Sequence, residues 1–109
     1  MDGTTLAPQP TMAEAASQAA EFLKLLANPW RLRILCTLGE RGEVTVGGLA
    51  ELLGVRDALV SQHLTLLRRD GLVRGRRDGQ SIHYSLADGP AVKIIEALYA
   101  AFCPNGATP

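Results

Sequence analysis

A chain of 109 residues, 47% hydrophobic and 20% charged, holds one packed domain and is not disordered throughout. Its apolar runs are too short to cross a membrane and its N-terminus lacks the charge and apolar core of a signal peptide, so a cytoplasmic protein is expected. Eleven Lys and Arg balance eleven Asp and Glu, yet Arg56 to Arg77 holds six arginines against two aspartates, a basic island in an otherwise acidic chain. Such asymmetry suits a phosphate-binding surface; taken alone, it suits a solvated charged face equally well.

In chain order, residues 1–10 read as a flexible arm and 104–109 as a flexible tail, with one domain over 11–103 between them. Thr11 to Ala27 is an alanine-rich helix with Ala13, Ala16, Ala20 and Leu23 on one stripe. Asn28 caps a second helix that starts at Pro29, where a missing N–H does no harm, and Gly39 is expected to stop it after Leu38. Glu43 to Val46 is a short β-prone piece, and Thr45 caps a third helix that Gly54 ends.

Residues 57–70 form a fourth helix. Val60, Leu64 and Leu67 point to one side, and Ala58, Ser61, Gln62, Thr65 and Arg69 to the other. Small and amide-bearing side chains on an outer face suit a helix that enters a DNA groove and bonds to base edges. The following LVRGRRDGQSIHYSL is two strand-like runs about Asp78-Gly79, which predicts a type I′ hairpin with Arg77 opposite Gln80 and Val73 opposite Tyr84. Its outer face would carry Arg74, Arg76, Ser81 and His83. A last helix from Pro90 sets Val92, Ile95, Leu98, Tyr99 and Phe102 on one stripe. The expected fold is mainly α with a β-hairpin wing, α-α-β-α-α-β-β-α, a winged helix-turn-helix.

The stretches NPWRLRIL, VGGLAELLGV, LVSQHLTLLRRDGLV and RRDGQSIHYSLAD resemble the ArsR/SmtB family of small dimeric bacterial repressors, over about Phe22 to Phe102. The resemblance implies a homodimer that binds a palindromic double-stranded DNA operator and is released by an inducer, with the two terminal helices at the dimer interface. The alanine stripe and the apolar last helix agree with that, and equally with helices folded over their own core.

Metal sites of the kinds known in the family are missing. No cysteine lies at 45–49, where arsenic and cadmium sensors keep a thiolate pair, and the last helix offers Asp88 and Glu96 but no histidine. No metal and no cofactor is therefore expected. The two cysteines, 67 residues apart, form neither a disulfide framework nor a structural zinc site. Each reads on its own as a small packed residue or as a reactive thiol. RILCTLGE together with LYAAFCPN is similar to the sulfide- and persulfide-responsive SqrR/BigR subgroup, which implies that Cys36 and Cys103 are sensor thiols and that low-molecular-weight persulfides are the inducer.

For DNA, Ser61, Gln62 and Thr65 are the candidates for base readout. Arg56, Arg74, Arg76 and Arg77 are candidates for phosphates or the minor groove, and His63 for a phosphate. Asp57 departs from the uncharged polar residue usual in the subgroup. The alternatives are the same fold tuned to a metal or a general oxidant, or a thiol enzyme or protein-binding winged helix. No CxxC, Cys–His motif or phosphate loop supports an enzyme.

Overall fold

The structure, a computed structural model, describes residues 9–103. The expected tail, and the expected arm up to residue 8, lie outside the described residues. Five helices and a three-stranded antiparallel sheet follow one another as α1 (Met12–Leu26), α2 (Pro29–Arg41), β1 (Val44–Thr45), α3 (Val46–Leu53), α4 (Asp57–Arg69), β2 (Val73–Asp78), β3 (Ser81–Leu86) and α5 (Pro90–Phe102). This is the expected order, a winged helix-turn-helix.

Local chemistry sets most boundaries. Thr11 and Glu14 form a reciprocal capping box at the start of α1. Asn28 Oδ1 accepts from the N–H groups of Trp30 and Arg31, and Thr45 Oγ1 accepts from that of Gly48. One boundary differs from expectation. Gly39 does not stop α2, which runs on to Arg41 and ends at Gly42 with φ +91°. Gly39 has a packing role instead: a Cβ there would come within 3.3 Å of Ile95 Cγ2 and 3.4 Å of Leu86 Cδ1, so its absence lets α5 and β3 settle against α2.

The core joins Ile34, Leu35 and Leu38 of α2 to Leu49 and Leu53 of α3, Val60, Leu64 and Leu67 of α4, and Ile95 of α5. Helix α1 is attached mainly through its last turns, by Phe22, Leu25 and the buried Leu26, while its alanine stripe stays exposed. The stripe of α5 divides. Ile95 is buried and Leu98 packs against the core, but Phe102 is 79% exposed.

The wing differs from expectation in register. Asp78 pairs with Ser81, Arg76 with His83 and Val73 with Leu86, so the two-residue turn is Gly79-Gln80 rather than Asp78-Gly79. Positive φ occurs at Gly79 and at no non-glycine residue described, which excludes type I′ and suits type II′. The slip is two residues, so both faces keep their expected members. The sheet order is β1-β3-β2, with β1 beside the inner hairpin strand.

Candidate functional site

Helix α4 is held by Val60, Leu64 and Leu67, all buried, and this fixes its opposite side outward. Arg56, Ala58, Ser61, Gln62 and Thr65 are exposed there, as the periodicity predicts. Thr65 Oγ1 donates to the Ser61 carbonyl at 2.9 Å, leaving Thr65 a methyl group and an accepting lone pair for any outside partner. Arg56 occupies the N-cap position without a capping bond from its side chain. His63 turns sideways: it is half-buried, and its Nδ1 is buried without a partner among the described residues. Arg69 pairs with Asp70 at 3.2 Å, closing the helix end.

On the wing, Arg74, Arg76, His83 and Ser85 share one face. Arg74 lies 3.6 Å from Asp88, and both are largely exposed. Arg77 extends from the other face near the tip, with no ion pair or hydrogen bond among the described residues. Arg76 is committed within the molecule: its Nε and one terminal nitrogen donate to the two oxygens of Glu43 at 3.1 and 2.9 Å. That pair holds the Glu43 carboxyl below its usual range and raises the Arg76 guanidinium.

A cavity of about 350 Å³ lies between α2 and α5, walled by Leu32, Arg33, Cys36, Leu98, Tyr99, Phe102 and Cys103. Its walls are almost wholly apolar. Arg33 directs its guanidinium to the Trp30 ring, 4.6 Å from the centroid, and to the Leu53 carbonyl, so it lends the wall mainly aliphatic stem. Burial, and then the neighbouring Cys103, push the Cys36 thiol above its usual range. Because α2 continues to Arg41, Cys36 lies more than a turn inside the helix, beyond the main reach of the C-terminal dipole. Cys103 is the C-cap of α5, its N–H donating to the Tyr99 carbonyl at 2.7 Å.

Residues 28–74 match the family described as bacterial regulatory protein, arsR family. The chain is 46% identical to the biofilm growth-associated repressor of Agrobacterium fabrum, over 88% of this chain and 81% of that protein. It belongs to the ArsR family. It is 39% identical to the transcriptional activator HlyU of Vibrio cholerae, over 84% of each chain. The crystal structure of the transcriptional repressor BigR from Xylella fastidiosa superposes with a TM-score of 0.80 at 38% identity, covering 90% of this chain and 96% of that one. The chain is thus a transcriptional regulator with a winged helix-turn-helix, not an enzyme.

Two features of this ArsR-family chain escape sequence reasoning. The Arg76–Glu43 pair joins residues 33 apart in sequence, with no helical or hairpin spacing to announce it. The Tyr99–Glu40 hydrogen bond joins residues 59 apart. Among the described residues no three His, Cys, Asp or Glu side chains gather as a metal would need, and no helix is long and apolar enough to cross a membrane.

Proposed function

We propose that this ArsR-family regulator is a homodimeric repressor that binds a palindromic operator in its reduced form and releases it when Cys36 and Cys103 are joined through sulfur atoms. One observation carries the reading: the chain's two cysteines, on different helices, wall one apolar cavity. In the chemistry proposed, each thiol takes a sulfane sulfur from a low-molecular-weight persulfide and releases the donor as a thiol. The terminal sulfur of one cysteine persulfide then attacks the other cysteine's sulfur and expels hydrosulfide, leaving a bridge with added sulfur. The donor's sulfane sulfur is the oxidant, and it leaves reduced. A bridge of this kind spans cysteines whose separation a direct disulfide would not tolerate.

Arg56, Arg74 and Arg77 make up the positive surface, with Arg76 beside them paired to Glu43. Ser61, Gln62 and Thr65 face the bases, and the half-buried His63 borders them at a phosphate. Bridging ties α2, which packs on the helix-turn-helix, to α5, and so favours one placement of the two recognition helices over another. To free most of the DNA the bridged form must favour the non-binding arrangement by several kcal/mol.

The test is glutathione persulfide added to the protein on operator DNA. Intact mass should rise by whole sulfur atoms within one subunit as DNA is released, while peroxide produces neither change. Cys36→Ser and Cys103→Ser should stay bound. Release from either serine variant would refute the dithiol switch.

A further inference from the structure

The base of the wing packs on the helices through Tyr84 and Leu86, but its pairing with β1 is short. Within the hairpin, β2 and β3 pair over six positions, but β1 pairs with β3 only through Val44–Tyr84 and Thr45–His83. The base of the hairpin is anchored by the buried Leu72 and Val73, and beyond them β2 is an outer strand. β1 matters because it runs directly into α3: Thr45 is both its last residue and the N-cap of that helix. Besides the packing at its base, the angle between wing and helix-turn-helix therefore depends on how firmly β1 is held to the sheet.

Glu43 and Arg76 add a hold on β1. Glu43 immediately precedes β1 and Arg76 sits mid-way along β2, so the two belong to opposite edges of the sheet, about 10 Å apart at the usual strand spacing. Their side chains meet across β3, whose His83 pairs with both Arg76 and Thr45. The contact uses both carboxylate oxygens and two guanidinium nitrogens, the arrangement in which an exposed ion pair is best defined in geometry. Arg74 and Arg77 differ from it. Arg74 has only a 3.6 Å approach to an exposed Asp88 and a 3.5 Å contact with Ser85, and Arg77 has no partner among the described residues.

From this geometry we infer that Glu43 and Arg76 form an edge-to-edge clasp that sets the wing against the recognition helix, and that Arg76 serves DNA binding as a positioning residue through Glu43, not as a phosphate ligand. The inference rests on the DNA-binding reading given above. It gives an acidic residue, which would otherwise only repel phosphate, a favourable part in binding. Arg74 and Arg77 are left as the wing's phosphate contacts.

The decisive measurement is affinity for a mixed-sequence DNA duplex of about three helical turns, taken across a salt series. Arg76→Ala and Glu43→Ala should each weaken binding about two- to five-fold, the double variant should be no weaker than either, and the salt slope should stay that of the wild type. The charge-swapped pair, Glu43→Arg with Arg76→Glu, should restore binding. Arg77→Ala should instead lower the slope by about 1. Tighter binding by Glu43→Ala, or a slope lowered by about 1 in Arg76→Ala, would overturn the clasp and make Arg76 a phosphate ligand held off by Glu43. Hydrogen exchange without DNA separates this failure from that of the DNA-binding reading. Glu43→Gln should speed exchange of the β1 and β2 amides and leave α4 unchanged, and unaltered exchange refutes the clasp. If the wild type binds no duplex while the exchange result holds, the DNA-binding reading falls and the positioning role with it.

Discussion

Tyr99 Oη donates to Glu40 Oε2 at 3.0 Å, one helical turn beyond Cys36 on α2 and one turn before Cys103 on α5. A polar link thus runs beside the two thiols and joins the same two helices. Tyr99 also lines both the thiol cavity and a second one of about 220 Å³, whose walls include Cys36, Gly39, Glu40 and Glu96. Cys36 borders both.

Tyr99→Phe keeps the ring and deletes the bond. With that link between α2 and α5 gone, alkylation of Cys36, which shares both cavities with Tyr99, should quicken several-fold with iodoacetamide while the fold stays intact. Mass spectrometry of the alkylated peptide, in a Cys103→Ser background, gives the rate. An unchanged rate would show that the hydrogen bond does not govern access to Cys36.

The Cys36 thiol is raised by burial and then by Cys103. A thiol raised in the folded protein favours folding equally at all pH values below its unfolded pKa, where both states are protonated. Above that value the unfolded chain ionises first, so stability falls as pH rises through the interval up to the folded pKa. Thermal melts from neutral to alkaline pH should show this decline, and Cys36→Ser should flatten part of it. In the Cys103→Ser variant the alkylation–pH profile of Cys36 should move to lower pH, because a like charge is removed.

Base readout and phosphate contact leave different signatures. Gln62→Ala should lose roughly 1–3 kcal/mol of discrimination at one base position and little elsewhere. Arg77→Ala should weaken all sequences alike and reduce the salt slope by about 1. A library of operator variants read at two salt concentrations distinguishes them. Sequence-blind losses for both would remove α4 from the role of recognition helix.

For the proposed homodimer, Leu98 is a poor probe because it packs against the chain's own core. Leu23 and Phe102 are better, being 51% and 79% exposed on the two terminal helices. Phe102→Asp or Leu23→Asp should leave the monomer folded and shift sedimentation from dimer toward monomer, because a carboxylate loses its water at an apolar interface. An intact dimer from both variants would place the interface elsewhere.

What the sequence determined by itself is the part governed by local rules. Capping at Asn28 and Thr45, the outward face of α4 and the pairing faces of the wing all follow from propensity and periodicity, which act within a turn or two of chain. The tertiary structure decided what depends on neighbours distant in sequence. Gly39 reads as a stop signal, but contact with Ile95 and Leu86 makes it a packing position inside α2. An Asp-Gly pair announces a turn, yet the turn formed one residue later, because pairing of Val73 with Leu86 rather than Tyr84 fixes the register from the buried base of the hairpin. Arg76 looks like any other wing arginine until folding brings Glu43 across the sheet. Cys36 and Cys103 share a cavity only because α5 packs back on α2. Such contacts arise from packing between elements, and the local pattern of a single chain does not encode them in readable form.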